Sequence, residues 1–129
     1  MNIQNEISIG SLVIQLKYST TRFRTQWCGE AEDLDPNTTV LPALENLANK
    51  ASTEAQTFVV DLSRLEYMNS SFIGMLMNFF MILDERNINA ELIFNTNKTW
   101  QILVKRCALS LFPQSDHVHI ADIGQDATI

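Results

Sequence analysis

Residues 59–86, VVDLSRLEYMNSSFIGMLMNFFMILDER, decide how this chain folds. The run that leads into them, Thr57 to Leu62 (TFVVDL), is rich in β-branched side chains and hardly alternates, which predicts a short central strand covered on both faces. Asn69-Ser70-Ser71 then opens a helix predicted over 70–86, because Asn and Ser oxygens accept the N–H groups that a helix start leaves orphaned. Ile73, Leu76, Met77, Phe80 and Leu83 form a stripe suited to a core. Phe72, Met75, Phe79 and Ile82 form a second stripe beside it, so the helix is apolar almost all round. Such a helix is either enclosed in a core or presented to a partner, and a domain of 129 residues has little room to enclose one. Phe72 and Met75, in the first turns, are therefore expected to be exposed and partner-binding, with Met75, Met77 and Met81 adding adaptable surface.

Upstream, Leu12 to Tyr18 alternates apolar and polar residues, Ser19-Thr20-Thr21 makes a turn, and Arg22 to Cys28 alternates again, so a β-hairpin is predicted, ended by Gly29. Asp35-Pro36 starts a helix, with Asp35 as N-cap and Leu41, Leu44, Leu47 and Ala48 at helical spacing to about Lys50. Downstream, Glu91 to Phe94 reads as a strand, Thr96 or Asn97 caps a helix carrying Trp100, Leu103, Val104 and Cys107, and Val118 to Ile120 forms a last strand. The order β-β-α-β-α-β-α-(β) predicts an α/β fold: a mixed sheet of four to five strands, opened by an antiparallel hairpin and covered by helices.

Composition narrows the function classes. With 46% hydrophobic residues, four glycines and three prolines, the chain is predicted to fold as one domain over residues 1–129. Its longest apolar stretch, Phe72 to Leu83, falls short of the ~20 residues of a membrane span, so no membrane insertion is expected. The N-terminal residues lack a basic leader, which predicts a cytoplasmic protein and leaves Cys28 and Cys107 as two buried thiols. A formal net charge of −6 opposes nucleic acid and anionic membranes as partners and favours a protein or small molecule.

The run DLSRLEYMNSSFIGML resembles the signature of the STAS domain, in which a strand ending Asp-Leu-Ser leads to Asp-Ser-Ser-Gly-Leu-Gly at a helix start. Gly29-Glu30-Ala31 is similar to the Gly-Glu-Leu or Gly-Glu-Ile that closes that family's second strand, and TWQILVKRCALSLFP to its third helix. In the anti-sigma factor antagonist branch, the first serine of the motif is phosphorylated by a serine/threonine protein kinase that doubles as an anti-sigma factor, and a protein phosphatase reverses the mark. The resemblance implies Ser70 as the acceptor, with Asn69, Ser71 and the loop of Glu30 and Asp33 around it; together with Phe72 and Met75 of the second stripe, these are the expected partner-binding residues. Asn69 stands where the family usually has Asp, and Phe72 where it usually has Gly, departures that imply a different kinase or none. The implied output is a sigma factor or a secretion, biofilm or cyclase pathway, and a dimer is compatible with the pattern. The alternative from the same resemblance is a constitutive subunit of a larger assembly, such as a lipid-transport ATPase complex, with Ser70 only part of a helix cap.

The residues themselves do not suggest an enzyme. Only two histidines occur, His117 and His119, with no Cys or Glu at ligand spacing, so no catalytic base or metal is assigned. The four glycines are scattered and form no phosphate loop, and no cofactor is implied. The acidic loop Glu30, Glu32, Asp33, Asp35 reads either as a solvated loop capping the next helix or as a contact for a basic partner surface.

Overall fold

Alternating apolar positions build a sheet with one face turned to the core, and the chain covers that face with helices. In a computed structural model that describes residues 6–124, the strands are β1 (Glu6–Ile9), β2 (Leu12–Tyr18), β3 (Arg22–Ala31), β4 (Thr57–Asp61), β5 (Leu65–Met68), β6 (Ala90–Phe94) and β7 (Val118–Asp122). The helices are α1 (Pro36–Thr39), α2 (Leu41–Thr53), α3 (Ser70–Glu85) and α4 (Thr99–Leu111). The expectation about the N-terminal leader rests in part on residues 1–5, which lie outside the described range.

The sheet runs β1-β2-β3-β4-β6-β7, with β5 pairing β3. The β1–β2 and β2–β3 pairs are antiparallel, whereas β3, β4, β6 and β7 pair in parallel. Each parallel step needs a crossover, and right-handed crossovers taken always in the same direction along the sheet put α2, α3 and α4 on one face. Leu12, Ile14, Leu16, Phe23, Trp27, Phe58, Val60, Leu92 and Phe94 on that face join the helices in one buried cluster.

The mixed α/β architecture is as the sequence predicts, but the sheet has seven strands instead of four to five. β1 escapes sequence reading because it is only four residues long; Gly10, at φ +59, turns it into β2. β5 reads as a connection because only Leu65 and Met68 are buried; it pairs β3 past the end of β4, where the register shifts between Gly29 and Glu30. Gly29 does not end β3. At φ +86 it forms the irregularity, and a Cβ there would lie 2.1 Å from the Ser11 carbonyl oxygen, so only glycine fits.

The helix expected from Asp35 is broken in two. Pro42 lies in the first turn of α2, where its missing N–H is harmless, whereas in an uninterrupted helix it would lose a hydrogen bond and clash with the preceding turn. Asp35 makes no side-chain cap; its carbonyl accepts from Thr38 and Thr39 N–H instead. At α4 the N-cap position is Lys98, because Thr96 is committed to Asp122. Cys28 and Cys107 are free thiols, each half-buried instead of buried.

The largest correction concerns α3. Phe72 and Met75, expected to be exposed, are 0% and 1% exposed. The sheet lies beneath this helix, α1 and α2 flank one side and α4 the other, so both apolar stripes have intramolecular cover. Phe72 meets Trp27 edge-on at 6.4 Å between ring centroids, and Phe79 meets Phe58 at 5.7 Å. The outward residues of α3 are Ser70, Ser71, Gly74, Asn78, Met81 and Glu85. The apolar surround of α3 is thus a core property, and Phe72→Ala is expected to destabilise the fold by about 3–5 kcal/mol in urea titrations. A loss below 1 kcal/mol would contradict its placement against Trp27.

Candidate functional site

Asp61-Leu62-Ser63 ends the central strand by local chemistry. The Asp61 carboxylate accepts the Ser63 N–H at 2.9 Å, which turns the chain, while Leu62 is buried and its carbonyl accepts from Gln101 Nε2 at 2.7 Å. Burial would raise the Asp61 carboxyl, but hydrogen bonds from Ser63 and the charge of Arg24 outweigh it and hold it below the ordinary carboxylate value. The turn delivers the chain to β5 beside the end of β3, and from there to Asn69.

Asn69 joins three segments. Its N–H donates to the Ala31 carbonyl at 3.0 Å, its Oδ1 accepts the Phe72 N–H at 2.9 Å, and its Nδ2 donates to the Asp33 carbonyl at 3.2 Å. One side chain therefore caps α3 and pins the acidic loop against the helix start. An Asp carboxylate at this position could cap α3 but could not donate to Asp33. Phe72 fills the space against Trp27 that a glycine would leave empty.

Ser70 and Ser71 are both exposed in the first turn of α3, and neither hydroxyl makes a hydrogen bond among the described residues. Glu30, Glu32 and Asp35 are exposed and Asp33 is half-buried. The Asp33 Oδ1 accepts the Asp35 N–H at 2.8 Å, so this loop is ordered from within as well as by Asn69. Lys98 at the same end of the sheet is held by Glu66 at 3.1 Å, and Arg64 lies in the turn before β5.

The structure thus brings Asn69, Ser70, Ser71 and the loop of Glu30 and Asp33 together, and places Phe72 and Met75 beneath them in the core. Sequence reading missed two apolar side chains here: Leu34 is 85% exposed and Tyr67 is 45% exposed. A lone Leu among Glu32, Asp33 and Asp35 was the available signal.

A second polar cluster holds the loop between β6 and α4. Asp122 accepts from Thr96 Oγ1 at 2.6 Å, Lys105 Nζ at 3.0 Å and the Gly124 N–H at 2.8 Å. Burial would raise this carboxyl, but those hydrogen bonds outweigh it and bring it to about 2. Away from this cluster, His117 contacts the Asn89 side chain at 3.2 Å.

No protein-family model matches the chain, and no curated protein matches it in sequence. Among solved structures, that of the diguanylate cyclase SiaD in complex with its activator SiaC, from Pseudomonas aeruginosa, contains a similar chain, the activator. The TM-score is 0.56 at 16% identity, covering 91% of this chain and 98% of that one. The likeness is one of fold. No helix among the described residues is long and apolar enough to cross a membrane.

Asn69→Ala is expected to cost about 0.5–2 kcal/mol and to speed amide exchange in residues 32–35. Asn69→Asp should keep the cap yet speed that exchange equally; unchanged exchange in both would mean that the side chain does not hold the loop. Asp122 contributes stability in full above its unfolded value of 3.8, and this is lost as pH falls toward about 2. The stability gap between the wild-type chain and Asp122→Asn, measured in urea at several pH values, should be about 1–3 kcal/mol near neutrality and close across that window.

Proposed function

We propose that this chain is a regulatory protein that works by switching partners, with phosphate on Ser70 deciding which partner it holds. The observation that carries the reading is a division of labour at the start of α3. Asn69 caps the helix and Phe72 anchors it, while the neighbouring Ser70 hydroxyl is exposed and has no structural task. A phosphate there adds about −1.5 to −2 charges at a helix N-terminus, which tolerates them, beside carboxylates that already make the surface negative. A docked partner would have to desolvate that charge, so the modification weakens binding without unfolding the domain.

The STAS resemblance supports a serine/threonine protein kinase of the anti-sigma type and a protein phosphatase as the partners that write and erase the mark. The fold shared with SiaC, the activator of a diguanylate cyclase, supports an output partner whose activity depends on being bound. In this reading the chain is a substrate of the kinase and phosphatase and not itself a catalyst.

The test is incubation with the source organism's anti-sigma-type kinase and ATP, followed by intact-mass analysis and peptide mapping. The expected result is one phosphate, on Ser70, absent from Ser70→Ala, and a loss of kinase affinity of at least tenfold in Ser70→Asp. Phosphate found only on Ser71 or elsewhere, or equal affinity of Ser70→Asp and wild type, rejects the reading.

A further inference from the structure

Among the described residues Leu34 is the most exposed large apolar side chain, at 85%, and its backbone is held on both sides. On one side Asp33 is fixed by Asn69 Nδ2 and by its own bond to the Asp35 N–H. On the other, Asp35 starts α1 through its carbonyl, and the following Pro36 is buried. An apolar side chain normally lowers its exposure by folding back onto the protein, and here the bracketed backbone keeps Leu34 in water. Tyr67 is 45% exposed on β5, directly opposite Glu30 of β3, two residues before Asn69. Both apolar groups therefore stand at the end of the sheet that carries Ser70, connected to it through Asn69.

We infer that Leu34 and Tyr67 are the apolar anchors of a protein-docking surface, and that the partner presents an apolar cleft rimmed by Lys and Arg side chains. The partner's chemistry follows from what surrounds the anchors. Glu30, Glu32 and Asp35 are exposed and none of them is in an ion pair among the described salt bridges, so a surface that covers Leu34 must also meet their charge. A neutral apolar cleft would leave them desolvated and unpaired, and an acidic one would repel them; a basic rim pairs them and steers the encounter. An aliphatic anchor held rigidly in its bound conformation also loses little entropy on docking. This inference rests on the partner-switch reading for its place beside Ser70: the basic rim is matched to the carboxylates around Leu34 and not to Ser70, where a docked partner would still have to desolvate an added phosphate.

The test uses a phage-displayed library of random short peptides, panned on the immobilised chain, because peptides selected this way settle on accessible binding surfaces whatever the natural partner is. The enriched peptides are expected to combine Lys or Arg with Leu, Phe or Trp. Their binding should fall at least tenfold in Leu34→Ser and severalfold in Tyr67→Ser and in the double variant Glu30→Lys/Glu32→Lys. It should weaken as salt rises from about 0.05 to 0.5 M, and persist in Leu103→Ser on the remote face of α4. Circular dichroism checks that each variant is folded. No enrichment, or peptides that lose binding in Leu103→Ser but keep it in Leu34→Ser, overturns the inference.

Kinase modification of Ser70 is scored separately. Peptides indifferent to Leu34 while Ser70 is still phosphorylated overturn the anchors alone. Peptides that need Leu34, on a chain whose Ser70 is never modified, uphold the anchors and overturn the switch.

Discussion

Burial of α3 between the sheet and its helical neighbours is the constraint on which the rest of the structure depends. Phe72 against Trp27 and Phe79 against Phe58 tie the helix to β3 and β4, and Arg86 reaches Glu45 of α2 at its far end. Full burial of an aromatic side chain of this size is worth about 1.5–3 kcal/mol, and α3 buries three. Because the parallel strands are laid down in one direction, the crossovers stack their helices side by side, and the middle helix is enclosed. Trp27, deep beneath it, satisfies its indole N–H on Thr25, which in turn donates to the Val59 carbonyl, so the polar atoms under the helix are paired as well.

Among the described residues no helix lies on the opposite face of the sheet, yet Val59 and Asp61 on it are buried. Their cover consists of side chains: Arg24 of β3 pairs with Asp61, and Arg22 pairs with Glu91 of β6, so extended guanidinium arms lie across the central strand. Such arms combine an apolar stem with a hydrated head, which suits a parallel sheet that must meet water on one side. The expectation that β4 is covered on both faces is met in this way, by helices on one face and by ion-paired arginines on the other.

The candidate site is built on this rigid frame, with its geometry set by bonds from the half-buried Asn69 and Asp33 side chains to the backbone and not by contacts among its exposed groups. Asn69 places α3, the end of β3 and the acidic loop in one arrangement, so Ser70 and Leu34 hold fixed positions while remaining accessible.

Apart from β5 and the break between α1 and α2, the sequence by itself determined the element order from Leu12 to Val118, the hairpin, the strand at Thr57 to Leu62, and the start of α3 at Asn69, because periodicity and capping are local properties. It also placed the acidic loop near the helix start, through the resemblance of its motifs. Only the tertiary structure decided that both apolar stripes of α3 are covered within the protein. Residues at i, i+3 and i+4 are apolar for the same reason whether a neighbouring helix or a partner covers them, and the cover is set by strand order, which periodicity does not encode. The same holds for Leu34, whose exposure depends on Asn69, 35 positions away, holding the carbonyl of its neighbour Asp33. β5 became a strand only because β3 runs on past the end of β4 and offers it an edge, a pairing that its four residues do not announce.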